Sequence, residues 1–512
     1  MQIKLLHLGG FVATTLAVRC SPHWKVGQEV ITSSGCVQGK AGSVEKGVSV
    51  YLGIPYAQPP IGDLRFSPSQ KFNNSGTVDG TRFGPSCPIT TVFGGGAPAN
   101  TTGKNFTDAG LAALETLSQP WDTFSEDCLK INVWTKPQAG EKGKAVLVWI
   151  HGGGYSLGSS SDPTFDGQYI VEEEDVVVVS FNYRMNIFGF PGNPSSPANL
   201  ALMDQRLAIE WVRDNIHAFG GDPSRITLFG QSAGGGSVDL YSYAYTSDPI
   251  VSGIILQSGT TSLGAYTKET TAEGWYNVTS SLGCGDNTID LTSQLSCMRD
   301  KTTSEITSAI PQSNSASGSA SFWPTIDETI VFSDYPSRSA AGKFIKVPML
   351  IGNANYEAGY FKAMSSVWDA YLPDEYWDGF NLKIYTCPSA SRANSSVAAG
   401  LPTWRYRYFG EFEELALTTT PRSGAYHASE LVPLFGTVDA FEGLTPSRKL
   451  LEVGRYLRGA WAAFAKDPET GLEGYGWPRY RLGGGTLLGL GYNNSDTVTL
   501  MEEKKLDLCE DV

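Results

Sequence analysis

The chain has 512 residues, of which 41% are hydrophobic and 18% are charged, a composition typical of a folded globular protein. Its formal net charge is −14, and no cluster of lysines and arginines is present to bind phosphates, so we expect no nucleic-acid partner. Beyond the first 20 residues no apolar run is long enough to cross a bilayer, so no transmembrane segment is predicted.

The N-terminus has the layout of a secretory signal peptide. Lys4 precedes an apolar segment that extends to Val18 and is followed by small residues, although His7 interrupts that segment. We predict that residues 1–20 are a signal peptide and that residues 21–512 form a single domain. The alternative is that the N-terminal segment stays in the protein and is buried. With the signal peptide, the protein is expected to be secreted and extracellular.

The cysteines and glycosylation motifs agree with secretion. The eight cysteines are an even number and lack the spacing of a zinc site, which favours disulfide bonds and no bound metal. Composition does not choose among the possible pairings. Six Asn-X-Ser/Thr motifs are candidates for glycosylation, at Asn73, Asn100, Asn105, Asn277, Asn394 and Asn493.

The chain changes character at Lys144. Before it the sequence is rich in turns with short strand-like pieces, and residues 93–105 are predicted to form an exposed loop. After it strands alternate with helices, which predicts an α/β fold with a large, mostly parallel sheet covered on both faces. The predicted strands are 145–150, 175–184, 225–229, 251–259 and 347–351; the predicted helices are 202–220 and 448–468, and a second loop is 311–322.

One serine lies among very small residues. The sequence GQSAG at residues 230–234 fits Gly-X-Ser-X-Gly and lies between the strand 225–229 and the start of a helix. A serine hydroxyl becomes nucleophilic when a base takes its proton, so the fold must present Oγ on a sharp turn that only small neighbours allow. Ser232 is therefore the candidate nucleophile. The alternative interpretation of this motif alone is a glycine-rich turn with an incidental serine.

The base and the acid are sought further along the chain, because in this architecture they follow the nucleophile. His427 is the only histidine after Ser232, which makes it the candidate base. The acid that orients the imidazole should lie between them, just beyond a strand. Glu357 follows the strand 347–351, and Asp327 is the rival.

A second glycine-rich segment, HGGG at residues 151–154, follows the strand 145–150. Such a loop supplies backbone N–H groups to the oxyanion that forms when a carbonyl is attacked. We assign this role to the N–H groups of Gly153 and Gly154, together with that of Ala233, which directly follows the candidate nucleophile.

Taken together, these segments resemble the type-B carboxylesterase/lipase family of cholinesterase-like α/β-hydrolases, and especially its fungal secreted members. The resemblance extends from about Val50 to Pro468 and rests most on EDCL at residues 126–129 and GQSAGG at residues 230–235. It implies an α/β-hydrolase fold with an N-terminal antiparallel strand region, and it implies Glu357 as the acid.

The resemblance also implies further pairs of residues. Disulfides are expected for Cys87 with Cys128, Cys284 with Cys297 and Cys387 with Cys509, which leaves Cys20 and Cys36 over. Phe322 and Trp323 align with the acyl-pocket region of the family and are expected to line the substrate pocket; the alternative is that both are ordinary core aromatics.

The favoured hypothesis is a serine carboxylic-ester hydrolase that acts on small-molecule esters through an acyl-enzyme on Ser232. The alternatives are a lipase for longer acyl chains and an acyltransferase or lactone-forming enzyme of secondary metabolism. A non-catalytic, cholinesterase-like binding protein is the least favoured, because nucleophile, base and acid are all present. No cofactor is expected, since these residues and the glycine donors supply the chemistry.

Overall fold

The computed structural model describes residues 24–90, 101–311, 322–438 and 444–509. The strands in these residues are β1 (Val30–Thr32), β2 (Gly35–Gln38), β3 (Lys40–Ala41), β4 (Ser49–Pro55), β5 (Thr77–Asp79), β6 (Lys130–Thr135), β7 (Lys144–Ile150), β8 (Val176–Phe181), β9 (Gly221–Gln231), β10 (Gly253–Gln257), β11 (Met349–Ala354), β12 (Thr403–Tyr408), β13 (Leu487–Leu490) and β14 (Thr499–Met501).

The helices in the same residues are α1 (Asp108–Thr116), α2 (Gln168–Glu173), α3 (Asn186–Gly189), α4 (Leu200–Asn215), α5 (Ala233–Ala244), α6 (Lys268–Ser281), α7 (Leu291–Asp300), α8 (Thr303–Ala309), α9 (Tyr335–Ala340), α10 (Ala358–Val367), α11 (Asp374–Phe380), α12 (Cys387–Ala398), α13 (Leu431–Phe435), α14 (Arg448–Lys466) and α15 (Gly471–Gly474). None of them combines the length and the apolar character needed to cross a bilayer.

Eleven strands form one large sheet in the order β14-β13-β12-β11-β10-β9-β7-β8-β6-β4-β3. The seven strands from β13 to β8 in this order are parallel to one another. The pairs β8–β6, β6–β4 and β4–β3 are antiparallel, as the family resemblance implies for the N-terminal region, and β14 adds an antiparallel strand at the opposite edge. A small separate sheet contains β1, β2 and β5.

The centre of the large sheet is buried on both faces, which explains why its strands read as continuous apolar runs. In β7, Val146 and Val148 belong to a core that includes residues of α4 and α5. The alternate residues Leu147 and Trp149 belong to a second core that includes residues of α14. Because successive side chains of a strand point to opposite faces, helices must cover both sides. The predicted mostly parallel sheet with helices on both faces is confirmed.

The predicted elements agree with the structure where their apolar period is clear. The predicted strand 175–184 is β8, and the predicted helix 448–468 is α14. The predicted helix 202–220 is α4 followed by a 3₁₀ turn, Ile216–Phe219, which ends at Gly220 with a φ of 85°. Residues 93–100 and 312–321 of the two predicted loops lie outside the described residues, as do the predicted signal peptide and Cys20.

Three disulfide bonds join Cys87 to Cys128, Cys284 to Cys297 and Cys387 to Cys509, the pairs that the family resemblance implies. The bond between Cys87 and Cys128 closes the segment that contains α1. The bond from Cys387, the first residue of α12, fastens that helix to the C-terminal segment.

Candidate active site

Ser232 lies between the carboxyl end of β9 and the first residue of α5, with a φ of 57° and a ψ of −126°. A positive φ is uncommon for a residue with a side chain and strains the backbone. The N–H of Ser232 donates to the carbonyl of Gln257 at 2.9 Å, and its own carbonyl accepts from the N–H of Gly236 at 2.8 Å. These two bonds hold the strained turn, and Ser232 lines a cavity at this edge of the sheet.

Glycines surround the turn because backbone approaches it from several directions. A Cβ on Gly230 would lie 2.6 Å from the carbonyl of Gly234, and one on Gly234 would lie 2.0 Å from the carbonyl oxygen of Ile150. A Cβ on Gly259, which follows β10, would lie 2.0 Å from the carbonyl oxygen of Ser232. The small residues of the GQSAGG sequence are therefore required by the packing of β7, β9 and α5 around the serine.

His427 lies in the loop between β12 and α13 and is 5% exposed. Its Nδ1 is 2.5 Å from Oε2 of Glu357, a fully buried residue at the start of α10, just beyond β11. Oε1 of Glu357 accepts from the hydroxyl of Ser258 and from the N–H of Ala354, both at 2.6 Å. An ionised carboxylate only accepts, so Nδ1 carries the proton and Nε2 keeps a lone pair that can accept one.

Asp327, the rival acid, has a different role. Its Oδ1 accepts from the N–H groups of Thr329, Ile330 and Val331, and its Oδ2 accepts from the side chain of Asn199 at 2.9 Å. The carboxylate organises a turn, and the contact with His427 is made by Glu357.

The HGGG segment forms a turn between β7 and the loop before α2, and its shape depends on glycine. Gly153 and Gly154 have φ values of 107° and 58°, and a Cβ on Gly153 would lie 2.0 Å from the carbonyl oxygen of Leu157. Both glycines line the same cavity as Ser232, and so does Ala233 at the N-terminus of α5. Backbone N–H groups at a helix start are free of intrahelical partners and suited to bind an oxygen that gains negative charge.

His151, the first residue of that segment, is buried and stabilises the glycine turn. Burial lowers the pKa of His151 to about 4, so the imidazole is uncharged at neutral pH. Its Nδ1 donates to the carbonyl of Gly152 at 2.9 Å, and its ring stacks on Tyr183 with the centroids 4.5 Å apart. The hydroxyl of Tyr183 in turn donates to the carbonyl of His151 at 2.8 Å. These contacts hold the start of the glycine turn, next to β7, in place.

The cavity has a volume of about 510 Å³ and is lined mostly by apolar and aromatic side chains. The rings of Phe361 and Tyr385 pack against the imidazole of His427, each with centroids 5.0 Å apart. Tyr385 belongs to a π-helical turn, Asn381–Thr386, a rare form that is frequent at functional sites. One wall is α1, whose Ala109 and Ala113 line the cavity.

The two aromatic residues expected in the pocket are separated by the structure. Trp323 lines the cavity, its indole N–H donates to the carbonyl of Gly264 at 2.9 Å, and its ring meets Tyr155 edge to face. Phe322 is fully buried in the core and is not part of the cavity wall, so the interpretation as a core aromatic applies to it. In the described part of the chain, no group of three or more His, Cys, Asp or Glu side chains is arranged to hold a metal ion.

Comparison with known proteins agrees with this geometry. A family model described as the carboxylesterase family matches residues 27–368. The chain belongs to the carboxylesterase family. It is a carboxylic ester hydrolase with an α/β-hydrolase fold, as the sequence predicts.

Two curated relatives of this carboxylesterase span most of its length. It is 34% identical over 472 residues to a chlorogenic acid esterase of Aspergillus niger, a match that covers 90% of this chain and 87% of that protein. It is 35% identical over 515 aligned positions to secreted lipase 5 of Gibberella zeae, covering 94% and 93%. Among solved structures, a thermophilic pNB esterase superposes with a TM-score of 0.75 at 26% identity, covering 93% of this chain and 98% of that one.

Three residues of the site were not found from the sequence of this carboxylesterase. Ser258 donates to Glu357, as described above. The side-chain nitrogen of Gln231 lies 3.2 Å from Nε2 of His427. Glu430, three residues after His427, is 2% exposed and accepts from the amide of Gln257 at 3.2 Å. The only sequence signal for them is their position next to a strand end or to a candidate catalytic residue.

Glu430 is a buried carboxyl group whose pKa is raised. Burial raises the pKa of Glu430 to about 7, and the charge of Glu357 adds to this effect. Its Oε2 is buried without a hydrogen-bond partner among the described residues. Below about pH 7 this side chain is therefore held largely as the uncharged acid.

Proposed function

We propose that Ser232, His427 and Glu357 form the catalytic triad of this carboxylesterase, with an oxyanion hole made by the N–H groups of Gly153, Gly154 and Ala233. The substrate is a small-molecule ester, and the products are an acid and an alcohol. The three residues follow one another along the chain in the order expected for this architecture, and Ser232 and Glu357 each lie just beyond a strand.

In the first half of the reaction, Oγ of Ser232 attacks the ester carbonyl while Nε2 of His427 takes the hydroxyl proton. The imidazolium that forms is stabilised by Glu357, which accepts from Nδ1. The carbonyl oxygen becomes an oxyanion and accepts from the backbone N–H groups. The C–O bond to the alcohol then breaks, and Nε2 returns the proton to the departing oxygen.

In the second half, water replaces the alcohol. Nε2 of His427 takes a proton from water as its oxygen attacks the acyl-enzyme carbonyl, and a second oxyanion forms in the same place. The bond to Oγ of Ser232 breaks, the proton passes to Oγ, and the acid leaves. The cycle balances as ester plus water giving acid plus alcohol.

The observation that carries this proposal is the contact of 2.5 Å between Nδ1 of His427 and the buried Glu357, in a cavity that Ser232 also lines. A carboxylate buried without a cation needs such donors to remain ionised, and the imidazole, Ser258 and the N–H of Ala354 supply three of them. A structural salt bridge would not require that the imidazole and a strained serine line the same cavity.

The test is hydrolysis of p-nitrophenyl esters from acetate to palmitate, with Ser232→Ala and Glu357→Gln in parallel and Ser280→Ala, an exposed serine on α6, as control. We expect Ser232→Ala to abolish turnover, Glu357→Gln to lower kcat by about 10⁴-fold, and the control to be unaffected. A reactive phosphonate should label the intact protein once, on the peptide that contains Ser232. Full activity in Ser232→Ala, or a label elsewhere, would refute the triad. The optimum acyl length distinguishes an esterase from a lipase.

We also propose that the protein is extracellular and glycosylated. The three disulfides support an oxidising compartment, and a secreted lipase is among the relatives. Four of the sequons are exposed, at Asn73, Asn105, Asn277 and Asn493, whereas Asn394 is half-buried. Asn100 and the signal segment lie outside the described residues. Removal of N-linked glycans should lower the mass of protein recovered from culture medium; an unchanged mass would exclude glycosylation.

A further inference from the structure

Asp162 is the only carboxylate among the described residues that line the cavity. The remaining lining residues are uncharged, apart from His427, and among those that the structure describes no lysine or arginine takes part. The internal segments outside the description, residues 91–100, 312–321 and 439–443, contain no lysine or arginine in their sequence. Among the described residues and these internal segments, the site therefore holds a carboxylate and offers no lysine or arginine to a bound substrate.

Asp162 is fixed in the wall and cannot swing away as a flexible surface side chain would. It lies between the HGGG segment and a 3₁₀ turn, Pro163–Phe165, and its Oδ1 accepts from the N–H of Thr164 at 2.8 Å. The carbonyl of Thr164 accepts from the hydroxyl of Thr437 at 3.0 Å. The ring of Phe165 packs on the ring of Phe435, with the centroids 5.7 Å apart. This contact holds the turn against α13, the helix that follows His427.

The charge of Asp162 is not neutralised by a partner. None of the ion pairs among the described residues involves Asp162. Burial raises the pKa of Asp162 to about 6, and the nearby charge of Asp122 adds to this effect. Asp122 itself accepts from the amide of Gln119 at 2.7 Å and from the hydroxyl of Ser161 at 2.5 Å. The other ionisable groups that line the cavity are His427 and tyrosines.

We propose that Asp162 is a specificity-determining residue that makes this esterase select uncharged, largely apolar esters and reject esters that carry a carboxylate. This inference rests on the proposed function of Ser232. The physical reason is that a carboxylate entering the cavity loses hydration, finds no cation and meets a second negative charge in a medium of low dielectric constant. An uncharged ester meets apolar and aromatic walls and incurs none of these costs.

The test uses isosteric pairs of substrates that differ only in charge. The first pair carries the charge on the acyl half of the ester and consists of 4-nitrophenyl 4-carboxybenzoate and 4-nitrophenyl 4-carbamoylbenzoate. The second pair carries the charge on the alcohol half and consists of 4-acetoxybenzoate and 4-acetoxybenzamide. For each pair the ratio of kcat/KM for the amide to that for the acid is measured. Loss of activity through His427 or through partial unfolding cancels in this ratio.

For Asp162→Asn we expect the ratio to fall about tenfold in the substrate pair whose charge lies nearer Asp162. The repulsion between two unit charges about 10 Å apart, at an effective dielectric constant of about 20, accounts for a change of this size. Asparagine keeps the oxygen that accepts from Thr164, so the turn is preserved. Asp166→Asn, in the same loop but outside the cavity wall, is the matched control and should leave both ratios unchanged.

A second measurement needs no variant. In the wild-type enzyme the same ratio should fall as the pH is lowered from 8 to 5.5, because Asp162 becomes protonated while the substrate stays ionised. Ratios that change neither with pH nor in Asp162→Asn would overturn the inference even if the esters are hydrolysed. Hydrolysis that survives Ser232→Ala would instead contradict the proposed function, so the two failures are distinguishable.

Discussion

Replacing Gly259 by alanine tests whether the turn at Ser232 depends on close backbone packing. A Cβ at this position would lie 2.0 Å from the carbonyl oxygen of Ser232 and 2.7 Å from the nitrogen of Gly236. These two atoms form the first hydrogen bond of α5 after the nucleophile, at 2.8 Å. The substitution therefore acts on the turn itself, although Gly259 touches no substrate.

The size of the effect follows from the overlap. Because Cβ atoms do not approach other heavy atoms closer than 3.0 Å, the carbonyl of Ser232 or residue 259 must move by about 1 Å. Overpacking of a core by one methyl group costs about 1–3 kcal/mol of unfolding free energy. A misplacement of about 1 Å in a catalytic group lowers the rate by about 10²-fold. We expect both losses in Gly259→Ala.

The assay is kcat for p-nitrophenyl butyrate per active site, counted with a phosphonate that labels the nucleophile, together with thermal unfolding followed by circular dichroism. Gly474→Ala is the matched control, because Gly474 ends the short helix α15 and a Cβ there meets nothing within 4 Å. We expect Gly259→Ala to show a kcat about 10²-fold lower and a Tm lower by a few degrees, and the control to be near wild type. Wild-type kcat and Tm in Gly259→Ala would refute the reasoning.

Three further predictions concern residues around the triad. Ser258→Ala removes a donor from Glu357 and should lower kcat/KM by about tenfold, whereas an unchanged kcat/KM would show that this hydroxyl is dispensable. Gln231→Glu places a carboxylate beside the imidazole of His427 and favours its charged form, so the acid limb of the kcat/KM profile should move to higher pH; an unmoved limb would contradict this. Glu430 retains its proton to higher pH when folded than when unfolded, so wild-type stability falls as pH rises from about 4.5 to about 7. The Tm advantage of Glu430→Gln over wild type should therefore grow between pH 5 and pH 8, and a constant difference in calorimetry would exclude the raised pKa.

The central sheet could be predicted because its constraints are local in the sequence. A strand buried on both faces is mostly apolar, as in β7 and β8, and a covering helix repeats apolar residues, as in α4. The buried strand β12 was not predicted, because Arg405 and Arg407 interrupt its apolar pattern. The edge strand β14 was missed because an edge needs neither pattern. One of its three residues is exposed and the other two are half-buried, and its pairing with β13 is set by the fold around it.

The candidate site could be predicted only in part. Ser232 and the two glycines carry a signal in their own neighbours, since the backbone contacts around them exclude side chains. Glu357 lies where it was predicted, beyond a strand, in the turn that directly precedes α10. Phe322 and Trp323 have the same apolar character, and only the tertiary packing sends one to the core and the other to the cavity.

The topology explains why the chemistry was easier to infer than the substrate. The glycine turn follows β7, Ser232 follows β9, Ser258 follows β10 and Glu357 follows β11, and these four strands are neighbours in the parallel sheet. Parallel strands end at one edge, so the sheet brings these four segments together, and His427 joins them from the loop between β12 and α13. The walls of the cavity come instead from α1, the turn before α2, the helices α10 and α11 and the start of α13. The pairing of the strands does not fix the positions of these elements. The proposed triad acts only on the ester group, so selectivity must reside in these walls, where we expect the uncompensated carboxylate of Asp162 to disfavour a substrate of the same charge.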